Sequence, residues 1–287
     1  MKNIFFTIFF FLFSTIVSAQ TFVSTSPENK NVILNQFTGI YCTWCPAGHV
    51  IGQSILNANP NDVFLIRTHV GGFSSPNSIN DPNLNSQYGS QLANAAGVSG
   101  YPTGTVNRRV FPAGSPSTAM SRSSWQVSAN QILSESSYVN VAAQGSFDIA
   151  SGVLTVNTET YFTSNSSSSS GNSINIAIIE NNIPGPQTGA VSNGSPSSII
   201  PGPWSPTYNH EYVLRHLMEG VNGLNINTTS IGSFSSNSHS WSVPTNLSSV
   251  VSGNGYFPTL DPFNFKIVPY ITDNSTGEII TGSQSNL

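Results

Sequence analysis

Gln36-Phe37-Thr38-Gly39-Ile40-Tyr41-Cys42-Thr43-Trp44-Cys45 decides the reading of this chain. It leaves an apolar stretch, Val32-Ile33-Leu34-Asn35-Gln36-Phe37, and ends in two cysteines separated by two residues. They are the only cysteines among 287 residues. A lone Cys-x-x-Cys that follows a strand and opens a helix reads as a thiol–disulfide redox site. Beyond it, Ala47, Val50, Ile51, Ile55 and Ala58 fall on one face of a helix. Pro46 fits there because its missing N–H lies in the first turn, where it would bond nothing.

Outward from this segment an α/β unit takes shape over residues 31–136. Asn59-Pro60-Asn61-Asp62 stops the helix, and Val63 to His69 forms a second, nearly continuous apolar strand. Such a run suits a strand covered on both faces. A Gly/Ser/Asn/Pro loop follows, Gly71 to Pro82, then a helix carrying Leu84, Tyr88, Leu92 and Ala95 that Gly97 ends. Thr103 to Phe111 reads as a third strand, and Trp125, Ala129, Ile132 and Leu133 mark a last helix. The order is βαβαβα around a central sheet.

The chain opens with an export signal over residues 1–19. Lys2 supplies the positive start, a phenylalanine-rich uncharged run extends to Val17, and Val17-Ser18-Ala19 offers small residues for cleavage. The run is too short and wrongly flanked for a membrane span. We expect a mature chain with no transmembrane segment, in the periplasm, at the outer membrane or outside the cell. Both thiols would then meet oxidising conditions. Only 7% of residues are charged, against about 25% in ordinary domains, and the formal net charge is −4. That composition suits a β-rich exported protein and removes the electrostatic basis for nucleic-acid binding.

The remainder, 138–287, reads as a separate β-domain. Val139, Val141 and Ala143 fall at alternate positions, as do Leu154, Val156 and Thr158, and again Ile174, Ile176 and Ile178. Spacing and polarity predict an antiparallel, immunoglobulin-like sandwich without its disulfide. Thr163 to Asn172 reads as a flexible hairpin loop. Pro184 to Pro206 reads as a surface excursion or binding loop, with Trp204 its one hint of binding.

Gln36 to Cys45 looks like the thioredoxin segment that runs from strand to active site, with Tyr41 where a tryptophan is usual. Val98-Ser99-Gly100-Tyr101-Pro102-Thr103 resembles the thioredoxin cis-proline loop. Phe37-Thr38-Gly39, Cys45-Pro46-Ala47-Gly48-His49 and Gly100 to Gly104 with Asn107-Arg108 together resemble the outer membrane protein 28 family. That resemblance implies a thioredoxin-like domain joined to a C-terminal β-domain. It extends weakly through His210-x-x-Val213-Leu214-Arg215, His239-Ser240-Trp241 and Phe265 to Gln284. It also implies that Pro102 is cis and lies against the sulfurs. The departure is Gln36, which stands where thioredoxins bury an acid and cannot titrate.

Two accounts of the pair stay open. In the first, Cys42 attacks a protein disulfide in the envelope and Cys45 resolves the mixed disulfide, with no cofactor. The helix start lowers the Cys42 pKa, and Trp44 and Tyr101 are candidate substrate contacts. In the second, the bond is structural and the thioredoxin-like unit is the scaffold of an envelope binding protein. A four-residue loop contributes only about 2 kcal/mol on chain-entropy grounds, against ~4.7 for a hundred-residue loop, which tilts the reading to the first. A metal reading through His49 or His69 has no recognised spacing. We expect His49 to cap or pack on the helix surface and His69 to be hydrogen-bonded at a strand end. Arg67 should face an edge or pair with an acid, and Arg108 and Arg109 should form a solvated strand end.

Overall fold

The computed structural model describes residues 21–111, 116–189, 192 and 203–287; the expected signal segment lies outside them. The first part runs β1 (Val32–Thr38), α1 (Cys45–Ala58), β2 (Val63–His69), α2 (Gly89–Ala96), β3 (Thr103–Val106), β4 (Met120–Ser121) and α3 (Trp125–Leu133). β1 and β2 are parallel, with Val32 opposite Val63 through Thr38 opposite His69. α1 supplies the crossover that parallel strands require. Every residue of β1 and β2 is buried, so both strands are covered on two faces. One face packs under α1 and α3 through Leu34, Ile55, Leu65, Val106 and Trp125. The other packs under α2 through Phe37, Phe64, Ile66 and Leu92.

The second part adds β5 (Val139–Asp148), β6 (Val153–Phe162), β7 (Asn172–Glu180), β8 (Ile183–Thr188), β9 (Trp204–His210), β10 (Val213–Leu217) and β11 (Leu224–Ile226). It ends with β12 (Phe234–Ser242), β13 (Phe265–Asp273), β14 (Ile279–Gly282) and β15 (Ser285–Asn286). These strands do not form a sandwich of their own. The main sheet runs β14-β13-β7-β10-β2-β1-β3-β4, so it crosses the expected boundary between residues 136 and 138. The junction is β10 beside β2, parallel, with Val213 opposite Arg67. Leu214, Ile179 and Val268 share one apolar cluster with Phe37 and Leu92 of the first part. A separate three-stranded sheet, β12-β6-β5, covers the far end of the main sheet. Leu154 and Val156 meet Ile176, Ile178, Phe265 and Ile267 there. The expected immunoglobulin-like sandwich is therefore replaced by a layer that borrows the main sheet as its second face.

The physical reason is β7. Its nine residues are all buried, so it is an interior strand needing partners on both edges and cover on both faces. It takes β13 on one side and β10 on the other, with β11 pairing at its beginning. The serine tract before it is accordingly a crossing between two sheets, since β6 and β7 do not pair. A second seam fastens the other side. Asn107, fully buried with φ 49°, accepts from the Ile33 N–H at 2.8 Å and donates to the Asn31 and Ile279 carbonyls. Beside it Lys30, Arg109, Glu135 and Glu278 form an ion network joining both parts. Arg109 is thus paired with two carboxylates rather than solvated. Arg108 lies over the Tyr270 ring and donates to its hydroxyl at 2.9 Å.

Candidate functional site

Cys42 and Cys45 sit where β1 has ended and α1 begins, and they are joined as a disulfide. The turn between them is held by the Cys45 N–H donating to the Cys42 carbonyl at 3.1 Å. Pro46 occupies the first helical turn, where it removes no helical hydrogen bond. Pro102, preceding β3, follows a cis Tyr101–Pro102 peptide bond. Its ring packs on α1 at Gly48, where an added Cβ would come within 3.1 Å of the Pro102 Cβ.

Neither cysteine is open to solvent: Cys42 is 2% exposed and Cys45 is 0% exposed. The β8–β9 hairpin covers this end of the helix. Gln187 donates its side-chain amide to the Gly39 and Cys42 carbonyls at 3.2 and 3.3 Å. The Thr188 N–H donates to the Ile40 carbonyl at 2.7 Å, and Trp204 stacks on Tyr41 with centroids 6.0 Å apart. Trp204 was the sequence's hint of a binding loop, and here it closes the chain's own site. Most of that loop's tip, 190–191 and 193–202, lies outside the described residues.

Trp44 projects outward, 48% exposed. The Arg122 guanidinium lies 5.1 Å from its ring centroid and donates to the Trp44 carbonyl at 2.8 Å. Tyr101 is half-buried, edge-on to Phe73 at 6.0 Å, and burial pushes its hydroxyl pKa up. Phe73 is itself exposed, so Trp44, Phe73 and Trp204 leave an aromatic rim around a closed centre.

Under the helix lies a polar layer that the sequence did not announce. Gln36 donates to the Gly48 carbonyl at 2.9 Å and accepts from the Arg67 Nε at 3.0 Å. Gly52 makes room for this amide, since a Cβ there would fall 2.3 Å from the Gln36 Nε2. Arg67 is buried in the sheet interior, not at an edge, and pairs with no carboxylate. It donates to the His49 and Glu211 carbonyls and lies over the Tyr212 ring. His49 is buried too, sharing hydrogen bonds with the Thr38 hydroxyl at 2.9 Å and the Tyr208 hydroxyl at 2.8 Å. Burial, with Arg67 close by, holds its pKa well below the ordinary histidine range. His69 meets His210 edge-on at 5.5 Å, and neither of its ring nitrogens has a hydrogen-bond partner. Two expectations are thereby corrected: His49 is interior, and His69 is unbonded. The signal available was two buried, largely apolar strands that kept Gln36 in β1 and Arg67 and His69 in β2. No group of three or more His, Cys, Asp or Glu among the described residues is arranged to hold a metal.

Fold and site together define a mixed α/β protein with one large sheet, few helices and a Cys42–Cys45 disulfide at a helix start. The chain belongs to the outer membrane protein Omp28 family, whose profile matches residues 89–252, more than half of its length. That membership makes it an exported envelope protein. Among the described residues, no helix is long and apolar enough to cross a membrane. The fold is similar to HBP35 of Porphyromonas gingivalis, with TM-score 0.62 and 14% identity over 91% of this chain and 76% of that one. A crystallised protein of Agrobacterium tumefaciens matches with TM-score 0.48 and 12% identity, over 91% of this chain and 96% of that one. A domain of the outer membrane lipoprotein Omp28 from Porphyromonas gingivalis matches with TM-score 0.32 and 14% identity, over 53% and 88%. No curated protein sequence matches the chain.

Proposed function

We propose that this is an envelope binding protein whose thioredoxin-like unit is a scaffold and whose disulfide is a shielded structural bond. The observation that carries the reading is the burial of both cysteines beneath the β8–β9 hairpin. Thiol–disulfide exchange needs a thiolate in line with the sulfur it attacks, and access is part of its rate. Gln36 adds support, because an amide bonded to Gly48 and Arg67 has no proton to pass to a leaving cysteine. The thioredoxin-like assignment itself rests on β1-α1-β2, then β3, β4 and α3, with sheet order β2-β1-β3-β4.

One arrangement favours exchange as a second reading. The pair opens α1, Pro102 packs one turn along that helix, and Trp44 stands exposed beside them. In that reading Cys42 attacks, Cys45 resolves, Trp44 and Tyr101 contact a protein substrate, and the hairpin must lift first. The reduction potential of the pair separates the two. A structural bond should lie below about −300 mV and a Cys45→Ser variant should trap no envelope proteins. A potential between roughly −270 and −120 mV, with mixed disulfides on Cys42, would replace the first reading by the second.

A further inference from the structure

The main sheet runs β14-β13-β7-β10-β2-β1, so a flat sheet at about 4.8 Å per strand would hold β14 about 24 Å from β1. Yet a Cβ on Gly282 of β14 would fall 2.7 Å from the Ile33 Cδ1 of β1. The sheet therefore curls into a trough, and Ile33, Phe37, Ile179 and Tyr270 point into it. α2, eight residues and about 12 Å long, packs into the trough through Leu92 and Ala96 and fills only part of it. Beside it lies a cavity of about 540 Å³, within the range of small-molecule sites, about 300–1,000 Å³.

The cavity floor is polar where the rest of the trough is apolar. Asn35 lies between Ile33 and Phe37 on the same face of β1, and Thr105 of β3 is its cross-strand partner. Both line the cavity and are buried, 6% and 2% exposed. The Asn35 Oδ1 accepts from the Thr68 hydroxyl at 2.8 Å. Its Nδ2 has no partner among the described residues, and neither has the Thr105 hydroxyl. Unlike the sealed His69 nitrogens, these two groups open to the cavity. Arg108 is a wall as well. Its Nη2 donates to the Tyr270 hydroxyl at 2.9 Å and lays the guanidinium over that ring, leaving Nε and Nη1 unpartnered among the described residues. The acids of the neighbouring seam, Glu135 and Glu278, pair with Lys30 and Arg109 instead. Asp273, the one acid among the described wall residues, accepts from the Ser168 hydroxyl and the Ser275 N–H, each at 2.7 Å, and forms no ion pair with Arg108.

The geometry points to a binding site for a sugar acid, a polyhydroxylated ring that carries one carboxylate. The carboxylate lies against Arg108, which supplies the charge, with the Asn35 amide and the Thr105 hydroxyl as further donors. An ionised acceptor strengthens each of these bonds. Gln91, Thr118 and Asn222 bring neutral amides and a hydroxyl to the walls, which suit ring hydroxyls. Phe37, Leu92 and Val221 offer an apolar face to the ring C–H groups. The site gives the binding-protein reading a ligand class and rests on it in that sense alone, since neither cysteine lines the cavity.

The test uses the disulfide-intact protein with D-glucuronate and D-galacturonate at pH 7 and constant ionic strength, read by calorimetry and saturation-transfer NMR. Saturable binding of at least one is expected. Glucose, which lacks the charge, and hexanoate, which lacks the hydroxyls, should each bind at least about tenfold more weakly. Arg108→Gln should weaken uronate binding about tenfold or more and Thr105→Val about threefold, with Gln126→Ala as wild type. Absence of saturable uronate binding, or glucose or hexanoate within threefold of the uronate, overturns the proposal. So does an unchanged uronate affinity in Arg108→Gln. If that variant does not fold, Thr105→Val, a nearly isosteric loss of one hydroxyl, decides alone. The reduction potential of the cysteine pair is a separate measurement, so failure here leaves the account of the disulfide as it stands.

Discussion

Gln187→Ala should make the Cys42–Cys45 bond far easier to reduce. The Gln187 amide is the side chain that ties β8 to the loop carrying Cys42, through the Gly39 and Cys42 carbonyls. With both sulfurs buried, a small reductant reaches them only while the hairpin is lifted, so the rate follows the opening equilibrium. Two neutral hydrogen bonds at about 1 kcal/mol each make opening about 2 kcal/mol easier, or roughly 30-fold faster reduction. The Thr188 to Ile40 bond and the Tyr41–Trp204 stack remain, so the hairpin should still close. The assay is dithiothreitol reduction at fixed pH, quenched with an alkylating reagent and read by mass. Gln126→Ala, an exposed change on α3, serves as control. A Gln187→Ala rate within threefold of wild type would refute the hairpin as the barrier. So would a wild-type rate equal to that of a small exposed disulfide.

Three further outcomes follow from the packing. Burial holds His49, His69, His210 and His216 neutral, His210 at about 3 and His216 at about 4. Histidines depressed in the folded state lose stability as pH falls below the unfolded value near 6.5, by up to about 1.4 kcal/mol per pH unit for each group. Glu180, raised to about 7, and Glu211, pushed up by burial, work the other way and regain stability as they protonate, but they are two groups against four. Urea midpoints should therefore drop between pH 7 and pH 5, and an equal or higher midpoint at pH 5 would refute this. Asn107→Ala removes three buried hydrogen bonds at the seam and should destabilise by about 3 kcal/mol in urea titrations, a loss below 1 kcal/mol counting against the seam. A fragment ending at Ser136 strips β10 from β2 and Leu214, Ile179 and Val268 from the α2 cluster. It should show no cooperative melting by near-ultraviolet dichroism; a sharp transition would restore an independent first domain.

The reach of sequence reasoning differed along the chain. Most strands and helices up to residue 133 were legible because each carries a complete local signal: apolar runs for β1 and β2, helical spacing for α1 and α3, Gly97 as the left-handed stop of α2. The two-residue β4 carried no such signal, and α2 begins at Gly89, after the Leu84 and Tyr88 that its expected spacing included. The third strand was read too long, since Asn107 and Arg108 both adopt positive φ and turn the chain out of the sheet. Many strands of the second part were placed by alternation, but alternation says which residues face inward and nothing about which sheet receives them. β6 and β7 are neighbours in sequence and lie in different sheets.

For the site, residue identity alone fixed the chemistry available: two cysteines at a helix start, with no acid at Gln36. Only the tertiary structure decided that this chemistry is covered. The cover comes from Gln187, Thr188, Trp204 and Tyr208, about 150 residues downstream in sequence, and a local pattern holds no information about so distant a contact. The same holds for the domain boundary. The sequence by itself determined an α/β part followed by β-strands, because periodicity is a property of short segments. That β10 would pair with β2 and merge the two parts into one sheet is a long-range pairing, set by which edges and faces remain unburied after the local elements form.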